Sequence, residues 1–126
     1  MERLSLNAEY DRGVMVLAIS GELDIYTLPK VKQATDLILE HGVKNLVFNL
    51  EQLHHMDSSA IGFLVNLNRR LKSDRGGLLI SAISGEVSEV FRVTRSDKLF
   101  CIKPTVNEAV TSIISEIGNL SAPPAI

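Results

Sequence analysis

The chain has 126 residues, 45% of them hydrophobic and 22% charged, with a formal net charge of −2. That length suits one domain around one core, and the composition excludes a disordered chain. The charge excludes the basic footprint of a nucleic-acid binder, and no apolar run approaches the roughly 20 residues of a membrane span.

In chain order, residues 4–6 (Leu-Ser-Leu) alternate apolar and polar, which predicts an edge strand. Asp11-Arg12-Gly13 is a turn, and the apolar run of residues 14–19 predicts a more central strand, so the two form an antiparallel hairpin. Residues 20–24 (Ser-Gly-Glu-Leu-Asp) are expected to break that strand. A helix follows Thr27, with Pro29 in its first turn, Leu28, Val31, Thr35 and Ile38 at helical spacing, and Gly42 as its stop.

Residues 46–50 (Leu-Val-Phe-Asn-Leu) predict a buried strand, and a helix is expected from the Asp57 region to about Lys72. Its core stripe is Ala60, Leu64, Leu67 and Leu71. Ile61 and Val65 fall to one side of the stripe and either widen the core or stand at the surface. A turn over residues 73–77 precedes a strand at 78–82, then a helix with Val87, Val90, Phe91 and Thr94 on one face. A brief strand is expected at 99–102, where Cys101 between Phe100 and Ile102 reads as a small buried hydrophobe. Thr105 and Glu108 fit a capping box, and Val106, Ala109, Val110, Ile113 and Ile117 predict the inward stripe of a last helix ending at Gly118. Residues 1–118 then make one domain and 119–126, with Pro123-Pro124, a loose tail. The fold class is α/β: a mixed, mostly parallel sheet of four to five strands with an N-terminal hairpin and about four helices. The N-terminus lacks the plan of a signal peptide, so the chain is expected in the cytoplasm.

Candidate chemistry centres on Met56-Asp57-Ser58-Ser59-Ala60-Ile61-Gly62, where a strand hands over to a helix. Catalysis finds little support there. The imidazoles are His41, His54 and His55, and Ser58 is flanked by Asp57 and Ser59, so no Gly-x-Ser-x-Gly elbow exists. His54 and His55 read as surface or loop residues without an assigned role. Gly76-Gly77 lacks the Lys-Ser/Thr ending of a phosphate loop, and no Cys/His spacing suggests a metal, so no cofactor is expected. Two readings of Asp57-Ser58-Ser59 stay open. One of the three caps the helix by accepting from its unpaired N–H groups. Alternatively, one serine is a phosphoacceptor that brings about −1.5 to −2 charge to a helix N-terminus.

The residues Gly21-Glu22-Leu23-Asp24, then Thr27 and Val31, then an apolar strand and Met56-Asp57-Ser58-Ser59-Ala60-Ile61-Gly62, resemble a STAS domain of the bacterial anti-sigma-factor antagonist type. Phe91-Arg92-Val93-Thr94, Lys98-Leu99-Phe100 and Asn107-Glu108-Ala109-Val110 extend the resemblance from about Leu4 to Ile117. It implies a partner switch and no enzymatic activity. The unmodified antagonist binds an anti-sigma factor that is also a serine kinase, which frees a sigma factor. The kinase then phosphorylates the serine after the motif Asp, and a metal-dependent, PP2C-type phosphatase reverses this. The phosphoacceptor position matches Ser58, with Ser59 as the less favoured neighbour. The implied partner-binding set is Asp24, Thr27, Asp57, Ser58, Ser59 and Ile61, with Asp24 near the phosphoacceptor and helping to contact the kinase.

The chain departs from the family pattern at Ala60, where Gly is usual, and at Asn49, where Asp is usual. Ala suits a helix better than Gly by roughly 0.8–1 kcal/mol, so Ala60 firms the first turn while adding a methyl beside the docking site. A monomer or weak dimer is expected, with neither nucleic acid nor membrane as partner. The alternatives are a STAS scaffold or adaptor without a phospho-switch, in a stress-sensing or lipid-transport complex, and a small-molecule or nucleotide binder using the strand-end cleft.

Overall fold

A computed structural model describes residues 3–121. Strands β1 (Leu4–Asp11) and β2 (Val14–Leu23) form the antiparallel hairpin, followed by α1 (Leu28–Glu40), β3 (Asn45–Asn49), β4 (Leu53–Met56) and α2 (Ser58–Ser73). Then come β5 (Gly77–Ser81), α3 (Gly85–Val93), a 3₁₀ turn (Ser96–Lys98), β6 (Cys101–Lys103) and α4 (Val106–Ser121). The sheet has six strands, one more than the upper expectation, in the order β1-β2-β3-β5-β6 with β4 beside β2. All pairings except β1 with β2 are parallel.

Strand alternation sends side chains to opposite faces. Leu17, Ile19, Leu46, Phe48, Leu78 and Ile80 pack with Leu28 and Val31 of α1, Leu64 and Leu71 of α2, and Val87 and Phe91 of α3. Val14, Val16, Val47 and Leu79 meet Ala109, Val110 and Ile113 of α4 on the other side. Phe91 and Phe100 close one end of the larger core edge to face, with ring centroids 5.8 Å apart. The α2 stripe is buried as expected, and Ile61 joins it at 8% exposure.

The expected break at residues 20–24 does not occur: β2 runs on to Leu23 because β4 pairs with its C-terminal half where β3 has ended. A register shift between Gly21 and Glu22 marks the changeover. Gly118 does not stop α4, which continues to Ser121. A helical Gly costs about 1 kcal/mol relative to Ala, too little to end a helix already propagating. Of the expected tail, residues 122–126 lie outside the described residues. Ile117, expected inside, is 44% exposed and lines a cleft with Tyr10 and His41 beyond the packed part of the sheet.

Cys101 is exposed, not buried. It opens the edge strand β6, and Phe100 just before the strand takes the interior place, so apolar neighbours in sequence did not mean burial. Its thiol is therefore expected to react with Ellman's reagent in the native protein, one equivalent per chain. Protection that persists until denaturant is added would contradict the fold at this edge.

Candidate functional site

Leu23 of β2 pairs with Met56 of β4, so the residues that follow, Asp24 and Asp57, leave the sheet side by side. The Asp57 N–H donates to the Leu23 carbonyl at 3.2 Å. Asp57 is then the N-cap of α2 in extended backbone, φ −109° and ψ 176°. Its Oδ1 accepts from the N–H groups of Ser59 (3.1 Å) and Ala60 (3.3 Å), while Oδ2 accepts from the Ile25 N–H (3.2 Å), 32 residues earlier. One carboxylate thus starts a helix and moors the β2–α1 loop to it. Burial pushes this carboxyl up, but bonds from the Ser59 hydroxyl and from the N–H groups of Ala60, Ile25 and Ser59 outweigh burial and hold it below its ordinary value.

The two serines differ. The Ser59 hydroxyl donates to Asp57 Oδ1 at 2.5 Å and is partly buried. Ser58, the first residue of α2, is exposed, and its hydroxyl bonds to no other described residue. Asp57 already takes the N–H groups of Ser59 and Ala60, two of the helix-start donors that could hold an anion, and a group on exposed Ser58 would project into solvent.

Asp24 is 7% exposed and faces into its own loop. Its Oδ1 accepts from the N–H groups of Tyr26 (2.9 Å) and Thr27 (3.1 Å), and its other oxygen accepts from the Arg3 guanidinium. Burial pushes the Asp24 carboxyl up, and the Thr27 N–H, Arg3 and the Tyr26 N–H together bring it below its ordinary value. The Thr27 hydroxyl donates to the Glu22 carbonyl at 2.9 Å and accepts from the Asp24 N–H at 3.0 Å. Asp24, Thr27 and Ile61, expected to meet a partner, are therefore turned inward: the first two knit the loop and the third fills the core.

What this architecture presents outward is different. Ile25 is 61% exposed and Tyr26 82%, beside the Asp57 cap. Sequence reasoning missed both, although two large apolar side chains in a loop between Asp24 and Thr27 were a visible signal. Ser58 and Gly62 share an exposed face of α2 one turn apart. His54 and His55, expected as surface or loop histidines, lie in β4, His54 exposed and His55 with its Nδ1 2.9 Å from Glu86 Oε1.

The clefts of about 270 and 310 Å³ lie around Tyr10, Met15 and His41 and include none of these motif residues. Among the described residues no group of three or more His, Cys, Asp or Glu could hold a metal ion. No helix among them is long and apolar enough to cross a membrane.

A family model for the STAS domain matches residues 5–109. The anti-sigma-B factor antagonist of Staphylococcus aureus (strain NCTC 8325 / PS 47) is 29% identical over 76 residues, 60% of this chain and 70% of that protein. Among solved structures, an anti-sigma factor antagonist from Mycobacterium paratuberculosis superposes with a TM-score of 0.80 at 25% identity, covering 87% of this chain and 93% of that one. The anti-sigma factor antagonist SpoIIAA in its unphosphorylated form gives 0.75 at 23% identity, over 88% of this chain and 97% of its own. The phosphorylated form of SpoIIAA, a Bacillus cell fate determinant, gives 0.65 at 23% identity, over 86% and 99%. The likeness to SpoIIAA is one of fold.

Proposed function

The chain belongs to the STAS domain family, and from that premise we propose that it is an anti-sigma-factor antagonist switched by phosphorylation of Ser58. The observation that carries this reading is the exposed and unengaged Ser58 hydroxyl beside a fixed Asp57 cap, while the Ser59 hydroxyl is committed to Asp57. The unmodified protein docks an anti-sigma factor serine kinase through Ile25, Tyr26 and the exposed face of α2, which frees a sigma factor. Asp24, Thr27 and Asp57 hold that surface in shape, and the protein is a substrate and ligand with no catalytic step of its own.

The kinase transfers the γ-phosphoryl group of ATP to Ser58 Oγ. An ester bond forms there as the bond to ADP breaks, and the hydroxyl proton leaves to the kinase's base. A dianionic group then stands inside an apolar docking surface, where desolvation and its bulk oppose binding. Because Asp57 already satisfies the Ser59 and Ala60 N–H groups, the phosphate gains little from them within the domain, and its effect falls on the partner. A PP2C-type phosphatase resets the switch.

Mass spectrometry after incubation with Mg-ATP and the anti-sigma kinase encoded nearest to this protein provides the test. One phosphate is expected on the native chain and on Ser59→Ala, and none on Ser58→Ala. The thermal midpoint should hardly move on modification, while kinase binding is lost. Labelling confined to Ser59, or no labelling, overturns the assignment. A stable complex indifferent to Ser58→Glu points instead to a constitutive adaptor.

A further inference from the structure

The outer edge of β1 carries a pairing pattern that the partner switch does not use. β1 is eight residues long, terminates the sheet and pairs only with β2. In an antiparallel ladder, residues alternate between exchanging both bonds with the neighbour and pointing both groups away. Three contacts establish the phase here. The Glu22 N–H donates to the Arg3 carbonyl at 2.8 Å, so Arg3 faces β2. The Gly21 N–H donates away from β1, to Gln52 at 3.0 Å, and its partner Leu4 has its carbonyl turned outward, where Lys30 Nζ meets it at 3.2 Å. By alternation Leu6, Ala8 and Tyr10 also aim their N–H and C=O groups outward. No hydrogen bond from another described residue reaches them.

Edge strands of this length are ordinarily blunted by a lysine, a proline or a bulge. The Lys30 contact blunts the Leu4 end, and residues 6–10 hold no lysine, proline or bulge, with Glu9 their one charged side chain. We propose that two copies of the chain associate through β1 about a two-fold axis at Ala8, joining their sheets edge to edge. In this register Ala8 exchanges both backbone bonds with Ala8 of the second copy, and Leu6 exchanges both with Tyr10. Pairing ends where the Leu4 carbonyl is already occupied.

The side chains suit that register. On one face Leu6 stands opposite Tyr10, which is 62% exposed in the single chain, beside a cleft of about 310 Å³ lined by Met15, Leu37 and Ile38. On the other face Asn7 stands opposite Glu9 and Ser5 opposite Asp11, so no like charges oppose directly. The two Glu9 carboxylates lie diagonally, so added salt should strengthen the association. The second copy is thus selected by self-complementary pattern, which heterologous strands would have to reproduce.

Sedimentation velocity of the full chain over a concentration series is expected to show a monomer–dimer equilibrium that salt tightens. Ala8→Lys places two ammonium groups across the axis, and Ala8→Pro removes an N–H that the β2 ladder does not use. Each should weaken dimerisation at least about tenfold, roughly 1.4 kcal/mol, with circular dichroism unchanged. In a Cys101→Ser background, Ala8→Cys should form an intermolecular disulfide on mild oxidation, since directly opposed residues there stand about 5.5 Å apart. A chain that stays monomeric at every concentration, or a dimer equally strong in Ala8→Lys and Ala8→Pro, overturns the proposal.

Discussion

Gly21→Ala is expected to lower the unfolding free energy by about 2–4 kcal/mol. Gly21 sits at φ +101°, a backbone conformation that costs an L side chain strain wherever it occurs. Space is also missing, since a Cβ there would stand 2.2 Å from the Arg3 carbonyl oxygen. That oxygen belongs to backbone and cannot swing aside. It accepts from the Glu22 N–H, so pushing it away unzips the hairpin end from which Arg3 reaches Asp24. Urea denaturation should show a lower midpoint with an unchanged slope. A midpoint within experimental error of the native protein would show that this close approach does not exist in solution.

Asp57→Ala should cost roughly 2 kcal/mol, combining a lost helix cap with an Ile25 N–H left without its acceptor. It also carries a pH signature. Asp57 and Asp24 both have folded-state pKa values below the ordinary range. A carboxyl depressed in the folded state contributes its stability in full above its unfolded pKa of about 4. That contribution is lost as pH falls through the folded value, because the unfolded chain then binds protons more readily. Thermal melts from neutral pH down into the acid limb should therefore decline more steeply for the native chain than for Asp57→Ala. Equal slopes would mean that the cap carboxylate is not held in its ionised form. The same substitution should loosen the Ile25–Tyr26 loop and weaken partner binding even with Ser58 intact.

Where one element's own pattern was strong, its reading from sequence held. The α2 stripe of Ala60, Leu64, Leu67 and Leu71 is buried as its spacing implied, and the Glu108 N–H donates to Thr105 Oγ1 at 3.1 Å, one of the two bonds of the expected capping box. Strand β4 was missed because Leu53-His54-His55-Met56 shows no alternation: both ends are buried and the histidines between them are not. Its only reason to be extended is the free C-terminal half of β2. The same gap produced the expected break at residues 20–24, which β4 abolishes by supplying a neighbour. Cys101 and Ile117 are exposed, the first on the edge strand next to a buried Phe100 and the second near the end of α4.

The candidate site divides along the same line. From sequence alone came its position at a strand–helix junction, the three polar residues Asp57, Ser58 and Ser59, and the resemblance that linked them to Gly21-Glu22-Leu23-Asp24. Spacing along one strand or helix encodes such features, because they depend on backbone geometry a few residues wide. Only the tertiary structure decided which hydroxyl is engaged, that Asp24 and Thr27 turn inward, and that Ile25 and Tyr26 turn outward. Those outcomes hang on the pairing of Leu23 with Met56, which sets Asp57 within reach of the Ile25 N–H. A register between distant strands is a property of the assembled sheet and leaves no periodic trace in either segment.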